Sequence, residues 1–181
     1  GDLMKIQGKN GTPEWSQNVT SVASTYSNDF FKSSDVLIDD DTIFFSTASS
    51  IYSFNLTNGY LNWQKEVSSS RTPIVNGNYI FIVSENGYFL CLDKKTGKII
   101  WSTNTLKVLK KKKQNTIVTG FILGSGKMYI TTLNGFLIVC SANNGSIKYF
   151  KSLGDTITAP PIIVDSSLYI LTKDSKILGY N

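Results

Sequence analysis

A glycine followed four residues later by an aromatic side chain recurs along this sequence, and that spacing constrains the fold more than any other feature. Tyr52-Ser-Phe-Asn55-Leu-Thr-Asn-Gly59-Tyr-Leu-Asn-Trp63 lines up with Leu90-Cys-Leu-Asp93-Lys-Lys-Thr-Gly97-Lys-Ile-Ile-Trp101 and with Ile138-Val-Cys-Ser141-Ala-Asn-Asn-Gly145-Ser-Ile-Lys-Tyr149. A weaker copy opens the chain: Met4-Lys-Ile-Gln7, then Gly11, then Trp15. The glycines at 11, 59, 97 and 145 are 48, 38 and 48 residues apart, which a unit near 38 with two insertions of 10 explains. A fixed period of this size marks an array of stacked supersecondary units.

The physics of each unit is legible. Asn55, Asp93 and Ser141 can bond the backbone two residues on, starting an Asx- or Ser-type turn. The glycine then supplies the positive φ of a tight turn. Before the turn the residues alternate, with Phe89, Cys91 and Asp93 on one face and Leu90 and Leu92 on the other, the two-residue period of a strand. The first half of each unit also repeats. Val36-Leu37 to Ile43-Phe44, Ile74-Val75 to Ile80-Phe81, Ile122-Leu123 to Met128-Tyr129 and Ile162-Ile163 to Leu168-Tyr169 each read as strand, polar turn, strand. A further turn follows at Asn86-Gly87, Asn134-Gly135 and Asp174-Ser175. Four short antiparallel strands in about 38 residues have the size and content of a propeller blade. The expected fold is therefore all-β, a β-propeller of four-stranded antiparallel blades with about four blades in this chain. The repeat predicts one domain over 1–181, with blade units near 1–18 (partial), 34–70, 71–107, 118–154 and 159–181 (partial). Insertions fall near 19–33 and 108–117.

Composition agrees with that reading. Hydrophobic residues make up 41%, aromatic residues 12% and charged residues 17%, enough apolar material for a core and far from a disordered chain. No apolar stretch approaches the roughly 20 residues of a membrane helix. The two cysteines are too few for a disulfide framework. Cys91 aligns with Val139 and Cys140 with Leu92, so the thiols belong to opposite faces of equivalent strands, which argues against a direct bridge.

Few residues suggest chemistry. Asp39-Asp40-Asp41 could attract a hard cation, but the run aligns with Asn76-Gly77-Asn78 and is read as the first hairpin turn of its unit. Lys107 and Lys110 to Lys113 carry charge equal to the net +5 and fall in an insertion, where a solvated or disordered surface loop is expected. If the run acts, it acts as electrostatic docking; no interleaved aromatics support nucleic-acid binding. The other insertion carries Tyr26, Phe30 and Phe31, as candidate contacts or as packing onto the scaffold. There is no histidine, which removes the commonest general base. No catalytic, cofactor-binding or metal residue is expected, and no cofactor.

The Leu90–Trp101 segment, Leu-x-Leu-Asp-x-x-Thr-Gly-Lys-x-x-Trp, resembles the PQQ-like repeat of a β-propeller family, and the resemblance covers essentially the whole chain. It is closest to the BamB-type outer-membrane barrel-assembly lipoproteins within that family. The resemblance implies that Trp15, Trp63 and Trp101 dock between neighbouring blades, with Tyr149 a weaker substitute. It implies eight blades to a ring, so that this chain is half of one, expected to be the C-terminal half. Two copies would then pair to complete the ring, or the half would close on itself. The function implied is that of a non-enzymatic protein-interaction scaffold assisting outer-membrane β-barrel assembly. The location implied is periplasmic, peripheral to the outer membrane through a lipid anchor outside this sequence. PQQ-dependent dehydrogenases of related fold carry adjacent paired cysteines and a calcium-ligating carboxylate set, and neither is visible here. A fragment of such a dehydrogenase, or a ligand-sensing propeller domain, is the alternative.

Overall fold

The computed structural model describes residues 1–19, 32–113 and 116–181. Strands dominate. β1 (Asp2–Ile6) and β2 (Pro13–Asn18) form a two-stranded hairpin. Three four-stranded antiparallel meanders follow. The first comprises β3 (Leu37–Asp39), β4 (Thr42–Ser46), β5 (Ile51–Asn55) and β6 (Leu61–Lys65). The second comprises β7 (Ile74–Asn76), β8 (Tyr79–Val83), β9 (Tyr88–Asp93) and β10 (Ile99–Asn104). The third comprises β11 (Val118–Gly124), β12 (Lys127–Thr132), β13 (Phe136–Ser141) and β14 (Ile147–Ser152). A three-stranded sheet of β15 (Ile162–Val164), β16 (Ser167–Leu171) and β17 (Ile177–Tyr180) ends the described chain.

The chain divides into two compact units, Gly1–Pro73 with Lys95–Gly97, and Ile74–Lys94 with Lys98–Asn181. In the first, Ile43, Phe45, Tyr52 and Phe54 are buried together, and Leu3 and Trp15 pack against them. The Phe45, Tyr52 and Phe54 rings stack with centroids 5.2 to 6.1 Å apart. In the second, Leu137, Val139, Ile157, Leu168 and Ile170 form a core that Tyr129, Ile163, Leu178 and Tyr180 flank.

Alternation along Phe89–Asp93 divides its residues between two faces, and Phe89, Leu90, Cys91 and Leu92, drawn from both, are all buried. The middle strands β4, β5, β8, β9 and β13 carry runs of four or five buried residues. A strand covered on both faces reads as a continuous apolar run, the pattern these segments show. Clear alternation remains in β10 and in β16.

The repeated turns share one geometry. Gly11, Gly59 and Gly145 each donate a backbone N–H to the carbonyl of Gln7, Asn55 and Ser141, at 2.8 to 2.9 Å. Asn55 Oδ1 also accepts the N–H groups of Thr57 and Asn58 at 2.9 and 3.0 Å. Gly11, Gly59, Gly97 and Gly145 all have φ between +67° and +72°, so the glycine signal reports a backbone requirement. The outer strand enters after a bulge in each four-stranded sheet, at Ser53/Phe54, Ile99/Trp101 and Val139/Cys140.

The lysine-rich insertion departs from an irregular loop. Residues Thr105–Lys113 wind as 3-10 turns with a kink at Lys110, where φ is 49°. Leu106 and Leu109 are buried, while Lys107 and Lys110 are exposed. Thr105 fixes the start of the segment by donating both its N–H and its hydroxyl to the Gly87 carbonyl, at 2.9 and 2.7 Å. Two apolar anchors three residues apart therefore hold a segment whose charge alone suggested a solvated loop. Tyr26, Phe30 and Phe31 of the other insertion lie outside the described residues. Ser16–Asn18 continue strand β2.

Candidate functional site

The residues that carry a specific geometry are the aromatics that follow each turn. The spacing links a glycine to the aromatic of its own unit, but the contact made in space is with the glycine of the next. A Cβ built on Gly59 would fall 2.6 Å from the ring of Trp15. The same distance separates Gly97 from Trp63, and Gly145 from Trp101. Each indole thus packs against a turn that only glycine can complete, for reasons of both φ and space. Trp15 adds a hydrogen bond from Nε1–H to the Leu56 carbonyl at 3.1 Å. Trp101 meets Phe89 edge-on at 4.8 Å, and Phe44 lies 6.0 Å from Trp63. These contacts act as latches between successive repeats.

Tyr149 stands at the fourth latch position and covers no glycine. It is 52% exposed, against 9% for Trp63. It borders a cavity of about 490 Å³ lined also by Lys127, Tyr129, Lys151, Ile163 and Tyr180. Lys151 holds its ammonium 4.8 Å above the Tyr180 ring. Beside this cavity, the outward face of the last sheet presents Ile162, Val164, Tyr169, Leu171 and Ile177, all exposed. β17 forms the edge of that sheet.

Cys91 and Cys140 are both free and buried. Burial pushes each thiol from 9.0 up to about 11, so both remain protonated and poorly nucleophilic near neutrality. Asp39 ends β3, and Asp40, with φ 50°, makes the turn into β4. Asp41 there accepts the Leu56 N–H through its carbonyl at 2.8 Å. Among the described residues no group of three or more His, Cys, Asp or Glu side chains could share a metal ion.

The repeat and its latches match a known family. The family model described as "Outer membrane protein assembly factor BamB" matches residues 1–103. The chain belongs to the BamB family. The BamB of Legionella pneumophila is 22% identical over 142 residues, covering 78% of this chain and 35% of its relative. The crystal structure of BamB from Moraxella catarrhalis superposes with a TM-score of 0.78 at 14% identity, over 99% of this chain and 52% of that one. That likeness shows the fold to be the β-propeller of four-stranded blades. A quinohemoprotein alcohol dehydrogenase from Comamonas testosteroni shares the fold at lower similarity. Its TM-score is 0.66 at 15% identity, over 79% of this chain and 29% of that one. The chain spans between 30% and 44% of the length of the curated BamB relatives it matches. The three latch tryptophans are the residues that the resemblance had assigned to docking between BamB blades.

Proposed function

We propose that this chain is part of a non-enzymatic, BamB-type interaction scaffold that assists assembly of outer-membrane β-barrel proteins. The observation that carries the reading is the BamB family match over residues 1–103, which contains the three latch tryptophans. A latched β array whose outer strands carry exposed residues suits a protein that holds others in place. The chemistry points the same way, because its two thiols are buried and protonated. In this reading the scaffold works in the periplasm, held at the outer membrane by a lipid anchor outside this sequence, and its partner is the barrel-assembly machinery.

The test is co-purification of the full-length protein with the central barrel-assembly subunit from detergent-solubilised envelopes. Retention of that subunit is the expected result, and its absence under conditions that retain the other subunits overturns the proposal. The fold shared with a quinohemoprotein dehydrogenase supplies a second arm. Saturable appearance of a bound-quinone absorbance on adding PQQ and Ca²⁺ would favour the enzyme reading instead.

A further inference from the structure

Between Asp93 and Asp155 the sequence has eleven lysines and no carboxylate side chain. Five of those lysines, at 107 and 110–113, fall in the 3-10 segment that follows β10. The other Lys and Arg residues of the chain equal the Asp and Glu residues in number, so this one segment carries the whole net charge of +5. An unanchored loop would let such charges move apart. Here the backbone is held: Leu106 and Leu109 are buried, and Thr105 is tied to the Gly87 carbonyl by two hydrogen bonds. Lys107 and Lys110, set at the same three-residue spacing, are exposed. Lys110 also has φ 49° and ψ −121°, a conformation that a residue with a Cβ adopts under strain.

The surroundings extend the charge. Lys107 and Val108 line an open groove of about 530 Å³ together with Ile147, the first residue of β14. Lys148, next along that strand, is exposed. Glu85 is the one carboxylate in the 84–87 turn that anchors Thr105.

The choice of lysine identifies the partner. Protein interfaces enrich arginine and deplete lysine, because a guanidinium grips a carboxylate through two bonds at once and an ammonium does not. The chain has a single arginine, Arg71, and it lies outside this stretch. Single-stranded nucleic acid calls for aromatic side chains on which bases stack, and residues 105–113 contain none. A compact group of ammonium charges without directional partners suits a diffuse sheet of negative charge, which an anionic bilayer presents.

We propose that the 105–113 segment is a docking surface for a bilayer that contains anionic phospholipid. The lysines at 107 and 110–113 supply the attraction, Leu106 and Leu109 hold the segment on its blade, and Lys148 continues the charge along β14. The inference does not rest on the assembly role proposed above, whose test reads a protein partner.

Co-sedimentation of the 181-residue chain with sucrose-loaded vesicles tests it. Vesicles of about one-third phosphatidylglycerol in phosphatidylcholine should bind the chain at about 0.1 M salt, and pure phosphatidylcholine should not. Binding should vanish at about 1 M salt, where the Debye length is about 3 Å. Each lysine near such a surface contributes about a fivefold factor. Lys110→Gln, Lys111→Gln, Lys112→Gln and Lys113→Gln combined should therefore weaken binding about a hundredfold or more. A control changing Lys9, Lys32, Lys65 and Lys173 to Gln removes the same charge from exposed positions outside the stretch, and should stay within about threefold of the parent. Lys107→Gln alone should weaken binding about fivefold, a reading that survives if the fourfold variant misfolds. Absent binding to anionic vesicles, equal binding to neutral ones, or equal losses in the two fourfold variants would each overturn the proposal. So would release of most of the chain from vesicles by polyglutamate or an oligothymidylate at equal charge concentration, which would assign these lysines to a protein or nucleic-acid partner.

Discussion

Trp101 lies so close over Gly145 that the first carbon of any side chain there would fall 2.6 Å from its ring. Gly145 also has φ +71°, so Gly145→Ala meets a steric barrier and a backbone one together. Overpacking and a left-handed non-glycine residue each cost about 1–3 kcal/mol, and the variant should lose about 2–4 kcal/mol in urea unfolding. Gly77 shares the positive φ, at +60°, but has nothing within 4 Å. Gly77→Ala should therefore lose only about 1 kcal/mol. Equal losses at the two sites would show that the indole contact contributes nothing.

The aromatic side of the latch should show the same asymmetry. Trp63 is buried against Gly97 and Phe44, and Trp63→Ala should cost about 3–5 kcal/mol. Tyr149→Ala should cost less than about 1 kcal/mol because the residue is already 52% exposed. Chemical denaturation of the two variants side by side checks this.

The turn caps differ in strength. Asn55 Oδ1 accepts two backbone N–H groups, at 2.9 and 3.0 Å, while Ser141 Oγ accepts one at 3.3 Å. Asn55→Ala should cost about 1 kcal/mol and Ser141→Ala about half as much. Thermal melts suffice to rank them, and the reverse order would contradict the hydrogen-bond geometry.

The thiols set an alkaline limit. Cys91 and Cys140 titrate near 11 in the folded chain against 9.0 when free, owing to burial. Between those values the folded state keeps protons that the unfolded state gives up, so stability falls as pH rises. The contribution is fully present below pH 9 and is lost as pH climbs through about 11. Urea midpoints for the parent should drop over that window more steeply than for a Cys91→Ala/Cys140→Ala variant. In the same experiment native thiols should resist alkylation at pH 8 until denaturant is added.

Much of the architecture could be read from the chain because its signals are local. A glycine with φ near +70° declares itself, as does the alternation of an outer strand such as Ile99–Asn104. The partners of the tryptophans are not local. Trp101 and Gly145 lie 44 residues apart, and the Gly97-to-Trp101 spacing describes a hairpin, not the contact made. Only the family resemblance pointed across repeats. Alternation along Phe89 to Leu92 sorts the side chains between two faces without telling which face meets water, and here neither does. Leu106 and Leu109 were hidden by the lysines around them, although their three-residue spacing is the period of a 3-10 turn. Tyr149, the one tyrosine in the column, is also the one member that covers no glycine. That it stands over a cavity depends on packing that no spacing encodes.

The sequence contains three tryptophans, and all three are latches. Excitation at the red edge of the tryptophan band, beyond tyrosine absorption, therefore reads the seams between repeats. Trp15, Trp63 and Trp101 each report on one seam, and pairwise replacement by phenylalanine would leave a single emitter in a chosen place. Because such arrays open by nearest-neighbour steps, the order in which the three emissions shift red on denaturation would give the sequence of unzipping directly. The Tyr149 position stays dark in that experiment until a tryptophan is placed there.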